Sequence, residues 1–351
     1  MADVNGKETV LHSFSGPDGM LPTGPLLRDA SGNLYGTTLF GGNQSECQGD
    51  GCGVVFEVDA KGNFTVLYAF TGNNGDGGLG AQGLIQDSEG NLYGATYDGG
   101  TGTCTYNPFG HCGTVFKLDP KGNETVLHSF TGADGAAPQI TSTTMDRSGG
   151  YIYGDALYGG DYSGVCALNN GCGTVWKLDP TTRKETVLHR FNANHGDGAD
   201  PWGGGYIDAH GNLYETTWSG GDLKRCVPIA SSTPGCGIVF RIDTSGKYTV
   251  LHKFRGIPSD GVSPVGPLIQ DEKGNFYGAT EGGGPGEYGT VFKMSTSDNE
   301  HFQVTLLFSF TADNSEPEDP EGVVMDAKGN LYGFSRAGAW RAGTVFKLTP
   351  E

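Results

Sequence analysis

A long-period repeat runs through the whole chain and constrains its fold more than any other feature. The apolar piece that reads TVLHSF, or a near copy, recurs in six places, which end at Phe14, Phe70, Phe130, Phe191, Phe254 and Phe310. Two further pieces, GNLYGAT and GTVFKLD, recur with it, each six times when near copies are included. Successive copies lie 56 to 63 residues apart, which is a period typical of propellers, solenoids and arrays.

Each repeated piece has the composition of a β-strand. The pieces are short, rich in β-branched and aromatic residues, and bounded by Gly, Asn and Asp. A fourth apolar run, such as PLLRD before Gly32 or PLIQD before Gly274, precedes each copy of GNLYGAT. Four strands in each of six units predict an all-β protein: a six-bladed β-propeller of four-stranded blades, formed by residues 1–351 as a single domain.

The two ends of the chain predict how the ring closes. Residues 8–14 read as a fourth strand without the three that should precede it, whereas the sequence after Gly329 supplies only a second and a third strand. We therefore expect the N-terminal strand to join the last blade and to close the ring.

The cysteines predict four disulfides. One pair falls in the same loop of each of the first four units, and none occurs in the last two; the pairs are Cys47/Cys52, Cys104/Cys112, Cys166/Cys172 and Cys226/Cys236. Zinc needs four ligands, and each loop offers only two cysteines. Disulfides indicate an oxidising compartment, so we expect an extracellular or periplasmic protein whose secretory leader is not part of this sequence.

Composition excludes several classes of partner. The formal net charge is −18, with no basic run and no long apolar segment. Nucleic-acid binding needs clustered Lys and Arg, so it is excluded, and membrane insertion is not expected. We expect a monomer that needs no cofactor.

Calcium is the alternative, because Asp18, Asp76, Asp134, Asp197 and Asp260 recur before a Gly in the loops between units. An Asp-Gly turn explains them without a metal.

The motifs GNLYGAT with the Gly-Gly that follows it, GTVFKLD and TVLHSF resemble the GloVer tandem repeats of secreted bacterial proteins. The resemblance covers nearly the whole chain and implies an extracellular propeller. It implies no catalytic residue, because that family has no established catalytic motif.

A specific site is expected where the repeat is broken. The fourth unit has Glu215 where the others have Gly, and the third unit has Asp155 one place later, where the others have Thr, Ala or Phe. These two carboxyl groups come from neighbouring blades and could meet between them. The simpler interpretation is that each is a satisfied polar substitution.

Three of the four tryptophans also lie outside the repeated packing positions. With their neighbours they form the predicted ligand-binding set, which is Trp202, Trp218, Trp340, Arg336, His195 and Tyr162. Aromatic faces beside charged groups suit a carbohydrate. We therefore predict a groove for an extracellular polysaccharide or oligosaccharide on the long-loop face, over the third, fourth and sixth blades.

Two alternatives remain open. One is a polysaccharide-cleaving enzyme, either a glycoside hydrolase or a lyase, in which Asp155 and Glu215 act as acid and base. The other is a structural or protein-binding module. Propellers host all three functions, so the fold does not choose between them.

Overall fold

The computed structural model describes residues 9–73, 75–104, 110–140, 150–226, 233–296, 302–311, 318–337 and 343–349. These residues form twenty-four strands and two short 3-10 turns, at Cys47–Gly49 and Gly164–Asn169. No helix among them is long and apolar enough to cross a bilayer.

The strands form six antiparallel sheets, one for each copy of the repeat. The first sheet contains β1 (Met20–Arg28), β2 (Leu34–Phe40), β3 (Val54–Val58) and β4 (Phe64–Ala69). The second contains β5 (Gly77–Gln86), β6 (Leu92–Gly99), β7 (Thr114–Leu118) and β8 (Glu124–Ser129). The third contains β9 (Ala136–Ile140), β10 (Ile152–Tyr158), β11 (Thr174–Asp179) and β12 (Lys184–Arg190).

The fourth sheet has five strands, because its first strand is interrupted: β13 (Gly198–Pro201), β14 (Tyr206–Ile207), β15 (Leu213–Gly220), β16 (Ile238–Ile242) and β17 (Tyr248–Lys253). The fifth contains β18 (Val262–Gln270), β19 (Phe276–Gly282), β20 (Thr290–Thr296) and β21 (Phe302–Ser309). The sixth contains β22 (Glu318–Met325), β23 (Leu331–Ala337) and β24 (Thr344–Leu348).

The chain divides into two compact units. The first unit comprises Met1–Ile152 and Lys177–Thr186, and the second comprises Tyr153–Trp176 and Val187–Glu351. The first unit contains the first two sheets, and the second unit contains the last three. The single-domain organisation stays a prediction.

The fold class is a six-bladed β-propeller, as the repeat predicts. The predicted closure of the ring is not confirmed. Glu8 lies outside the described residues, residues 9–15 belong to no strand, and the described part of the sixth sheet has three strands.

Regular spacing of small and large residues builds each core. In β7, Thr114, Val115, Phe116 and Leu118 are buried and only Lys117 is partly exposed, so both faces of this strand are covered. The aromatic residue of GTVFKLD is among the largest buried side chains in several sheets, so it packs in the core. The examples that are less than 2% exposed are Phe116, Trp176, Phe240 and Phe292.

The hairpin turns are built on Asp, Gly and Asn, the residues that bound the strand pieces in the sequence. In the turn between β5 and β6, the amide of Asn91 donates to Oδ1 of Asp87 at 2.9 Å, and its Nδ2 donates to Oδ2 at 2.7 Å. The hydroxyl of Tyr93, from GNLYGAT, donates to the same Oδ2 at 2.9 Å. Burial of Asp87 opposes ionisation, but these hydrogen bonds outweigh it and lower the pKa of the carboxyl group.

All four predicted disulfides are confirmed: Cys47–Cys52, Cys104–Cys112, Cys166–Cys172 and Cys226–Cys236. They support the expectation of an oxidising environment. The carbonyl of the second cysteine also accepts a hydrogen bond from the first strand of the next sheet. Within the second unit, the amide of Asp200 donates to Cys172 at 3.0 Å and the amide of Ser263 donates to Cys236 at 3.0 Å. Each of these two disulfides therefore stiffens a loop that holds the next sheet.

Candidate functional site

Glu215 occupies a position at which the repeat otherwise requires glycine. It lies in β15 and pairs in register with Phe240 of β16. A Cβ atom added to the equivalent glycines would lie 2.3 to 2.7 Å from the Cζ atom of the corresponding Phe; these glycines are Gly36, Gly94, Gly278 and Gly333. Real Cβ atoms essentially never make contacts this short, so a side chain at position 215 needs room that the other sheets lack.

The interrupted strand of the fourth sheet provides that room. Three residues before the turn Asp, the first, second and fifth sheets have a leucine that presses on the glycine; these are Leu26, Leu84 and Leu268. The fourth sheet has Gly205 at this place. Pro201 pairs with Thr217 and Tyr206 pairs with Tyr214, so residues 202–205 form no ladder pair opposite Glu215 and Thr216. The volume lost by having Gly205 in place of a leucine thus compensates for the volume gained by having Glu215 in place of a glycine.

Asp155 lies in β10, and its side chain is fully buried, as is that of Glu215. The indole Nε1 of Trp176 donates to the backbone carbonyl of Asp155 at 2.9 Å and fixes this part of the strand. None of the four carboxyl oxygens has a hydrogen-bond partner of standard geometry among the described residues. The two groups nevertheless lie close enough for each to change the pKa of the other.

Burial dominates the electrostatics of this pair. It raises the pKa of Asp155 well above its usual range, and the charge of Glu215 raises it further. Burial also raises the pKa of Glu215 to about 7, although a hydrogen bond from Asp155 partly opposes this change. Two adjacent carboxyl groups in a dry interior cannot both ionise at low cost, so the pair retains a proton at neutral pH.

The structure thus brings together the two carboxyl groups that the sequence singles out. A pair that holds one proton can donate it and take it back, which is what acid–base catalysis requires. Both side chains are 0% exposed, so a polymeric substrate reaches them only if surrounding residues move.

Trp218 lies three residues after Glu215 on the same strand and is half-buried. Its indole Nε1 donates to Oε2 of Glu281 at 2.9 Å. Glu281 occupies the same repeat position in β19 of the fifth sheet. This hydrogen bond joins two neighbouring sheets at the end that carries the long loops, and it fixes the edge of the indole ring.

A second polar contact lies beside Trp218. Asp200 in β13 is buried; its Oδ1 accepts a hydrogen bond from Nδ2 of Asn169 at 2.7 Å, and its Oδ2 accepts one from the hydroxyl of Ser219 at 2.5 Å. Asn169 belongs to the cysteine loop of the third sheet. Asp200 therefore anchors that loop to the fourth sheet.

The remaining residues of the predicted ligand-binding set are more scattered. Trp202 is half-buried in the interrupted segment, and His195 and Tyr162 are exposed. Trp340 lies outside the described residues, as does the side chain of Arg336. The part of the predicted groove that the structure describes therefore lies on the third and fourth sheets, and it extends to Glu281 of the fifth, which was not in the predicted set.

Two periodic features that look separate in the sequence form one contact. The histidines of TVLHSF bind the aspartates of the following loop through Nε2, in the pairs His12–Asp18, His128–Asp134, His189–Asp197 and His252–Asp260, at 2.8 to 3.1 Å. Loop groups donate to the same carboxylates; the amide of Ser15, for example, donates to Asp18 at 2.7 Å. Donors of this kind explain these aspartates without calcium, and a sequence alignment of the repeat could have paired the two positions.

The six sheets and their turn chemistry define a β-propeller in which the third and fourth blades bring together a buried carboxyl pair. The family model described as the Gloeobacter/Verrucomicrobia repeat matches residues 2–168 and again residues 166–351. The chain belongs to this family, which agrees with the resemblance seen in the motifs.

Among solved structures, TolB from Acinetobacter baumannii is 14% identical with a TM-score of 0.41; the match covers 85% of this chain and 60% of TolB, less than two thirds of that protein. A gluconolactonase, XC5397 from Xanthomonas campestris, is 14% identical with a TM-score of 0.43, over 90% of this chain and 83% of that one. A putative gluconolactonase is 12% identical with a TM-score of 0.39, over 71% and 74%. No curated protein matches the chain.

Proposed function

We propose that the protein is a glycan-binding propeller that acts through the long-loop end of its fourth and fifth blades. The observation that carries this proposal is the hydrogen bond from Trp218 to Glu281. It holds a half-buried indole in one orientation beside a carboxylate. A fixed aromatic ring stacks on the C–H face of a sugar, and a carboxylate accepts hydrogen bonds from its hydroxyls.

The surroundings of Trp218 support this proposal. Trp202 directly follows β13, in which Pro201 pairs with Thr217. Tyr162 is 49% exposed on the adjacent cysteine loop, which Asn169 anchors to Asp200. A surface with several aromatic rings on anchored loops is pre-organised, and pre-organisation lowers the entropic cost of binding.

Net charge narrows the class of glycan. The chain carries 40 acidic and 22 basic residues. A negative field of this size repels polyanions, so neutral polysaccharides fit better than uronate-rich or sulfated ones.

A second candidate function is cleavage of the bound glycan. The observation that favours it is the Asp155–Glu215 pair, in which both carboxyl groups have raised pKa values. Perturbed carboxyl pairs are typical of acid–base sites, although ion-pair networks also produce them. In this candidate, movement of residues 202–205 opens the pair to the substrate.

A panel of neutral and acidic polysaccharides tests both candidates. Pull-down on insoluble polymers and release of reducing ends or unsaturated products are measured for the wild type, Trp218→Phe, Glu281→Gln, Glu215→Gln and Asp155→Asn. Leu168→Ala, which removes an exposed apolar side chain from the cysteine loop of the third sheet, is the control. The glycan-binding proposal predicts that Trp218→Phe weakens retention about tenfold, because the ring at this position loses its hydrogen bond.

The outcomes separate the candidates. Products that disappear in Glu215→Gln and Asp155→Asn support cleavage. Retention without products, lost in Trp218→Phe and kept in Leu168→Ala, supports binding alone. If the folded wild type retains no polysaccharide and forms no product, both sugar functions are refuted and a protein-binding module remains.

A further inference from the structure

We propose that the first unit holds a binding site for a divalent transition metal, formed by His128, Asp134 and Glu185. His128 lies near the end of β8, Asp134 lies in the loop that follows, and Glu185 lies at the start of β12. One ligand atom from each residue lies within 4.8 Å of the other two. Within the described part of the chain, no other group of three such residues converges in this way.

The spacing of the donor atoms fits a bound ion. Nε2 of His128 and Oδ2 of Asp134 are 3.0 Å apart. Metal–ligand bonds of about 2.1 Å place two donor atoms about 3.0 Å apart at right angles and about 3.4 Å apart at the tetrahedral angle. A metal can therefore replace the proton that these two atoms share, and a carboxylate oxygen of Glu185 lies within 4.8 Å of a ligand atom of each residue.

Neighbouring groups hold two of these ligands in place. Oδ1 of Asp134 accepts hydrogen bonds from the amide of Thr131 at 2.8 Å and from its hydroxyl at 2.9 Å, which leaves Oδ2 directed at His128. The ring of His128 packs against Phe130 edge to face at 4.8 Å. Supporting contacts of this kind orient metal ligands and tune their affinity.

The site is open enough to load. The side chains of His128 and Asp134 are 20% and 17% exposed. An ion can reach them from solvent, and water can fill the coordination positions that the protein leaves vacant.

The other copies of the repeat provide an internal comparison. The His–Asp pair recurs in three of them, and none of these has a carboxylate in the place of Glu185: the sequence has Val304 there for His252, and an aromatic residue for the other two. Phe64 stacks on His12 at 3.5 Å, and Tyr248 stacks on His189 at 3.7 Å. These rings cover the imidazole and offer it no third ligand of the carboxylate type.

The equivalent place between β4 and β8 has the glutamate but lacks the histidine. Glu124 occupies the place of Glu185 there and lies near Asp76, but Tyr68 replaces the histidine. Among the described residues, only the contact between β8 and β12 therefore combines one imidazole with two carboxylates.

The donor set indicates the kind of metal. Calcium prefers oxygen ligands alone, and copper(I) prefers sulfur. One imidazole with two carboxylates suits a borderline ion such as Zn²⁺ or Mn²⁺.

The test is a titration of the purified chain, with its disulfides intact and its metals removed by a chelator that is then dialysed away. Zn²⁺ binding is measured by calorimetry and Co²⁺ binding by visible absorption, which reports the ligand field. We expect one equivalent to bind, and we expect Glu185→Gln and His128→Tyr each to weaken binding at least about tenfold. Tyrosine occupies the place of His128 in the first sheet, at Tyr68, so this variant is compatible with the repeat.

His189→Tyr is the matched control, because it removes an equivalent histidine from a place where Tyr248 stands instead of the glutamate. Its affinity for Zn²⁺ and Co²⁺ should equal that of the wild type. The proposal is overturned if the folded wild type binds neither ion at up to about 1 mM, or if Glu185→Gln binds as tightly as the wild type. If His128→Tyr fails to fold, Glu185→Tyr, which copies Tyr248, decides in its place.

Discussion

The fourth and fifth sheets share the same turn between their first two long strands, yet only one of them carries the buried acid. Tyr214 donates to Asp208 in the fourth sheet, as Tyr277 donates to Asp271 in the fifth. The sheets differ where Glu215 replaces the glycine and Gly205 replaces the leucine. Because the two changes exchange side-chain volume between neighbouring strands, the fold accommodates an acidic side chain at a position where the repeat otherwise has glycine. The repeat therefore specifies volume at this place rather than residue type.

The consequence of the exchange is electrostatic. The glycine in the fifth sheet, Gly278, is neutral and packs on Phe292 and Leu268. Glu215 brings an acid into a dry position beside Asp155, where neither group has a standard hydrogen-bond partner in the described chain. Burying carboxyl groups lowers the stability of the fold, and the loss is smaller when the pair keeps a proton.

The largest expected loss of stability comes from placing a glutamate at the equivalent glycine of the fifth sheet. Gly278→Glu places a Cβ 2.7 Å from Cζ of Phe292 and buries an acid without a partner. We expect a loss of more than about 4 kcal/mol in the free energy of unfolding, or failure to fold. The double variant Gly278→Glu/Leu268→Gly should recover part of this loss, because it recreates the room that Gly205 provides. Denaturant melts of both variants measure this, and a single variant as stable as the wild type would contradict the volume argument.

The next effect concerns pH. The folded-state pKa of Glu215 is about 7, above its ordinary value of 4.5, so the folded protein holds a proton that the unfolded chain releases. The free energy of unfolding should therefore fall by about 3 kcal/mol as pH rises from about 4.5 to 7.

Glu215→Gln should remove this component. Burial also raises the pKa of Glu124 to about 7, with a further contribution from Asp76. Since Glu124 is present in both proteins, the difference between their pH profiles isolates the Asp155–Glu215 pair. Parallel profiles from about pH 4.5 to 8 would show that Glu215 ionises without cost.

The smallest loss of stability is expected in the turns, and it should be equal in the fourth and fifth sheets. Asn212 and Asn275 each donate through Nδ2 to the turn aspartate at 2.8 Å. Replacing either with Ala removes one hydrogen bond and should cost about 1 kcal/mol. Thermal melts of the two variants should agree; a much larger loss in the fourth sheet would mean that its turn, and not only its centre, differs from the repeat.

Much of the fold could be predicted because local patterns repeat. Strand chemistry, the Asp-Gly-Asn turns and the pairing of each cysteine within its own loop depend on residues close in sequence. The broken positions, Asp155 and Glu215, could be identified as candidates for the same reason. What they contact could not, because it depends on neighbouring sheets.

The contacts missed from the sequence are all between distant segments. Glu281 lies 63 residues from Trp218, and Glu185 lies far from His128 along the chain. The compensating Gly205 was also missed, although it stands in a run of three glycines that marks a break in the strand. A comparison of every repeat column, rather than of the motifs alone, would have shown that it replaces a leucine.

The most direct test of the buried carboxyl pair is the titration of the Asp155 and Glu215 carboxyl carbons by ¹³C NMR. We expect Glu215 to titrate near pH 7, Asp155 to stay protonated above its ordinary range, and Asp155→Asn to change the Glu215 curve. If both carboxyl groups titrate near about pH 4, independently of each other, the pair holds no proton at neutral pH and our description of the fourth sheet is wrong.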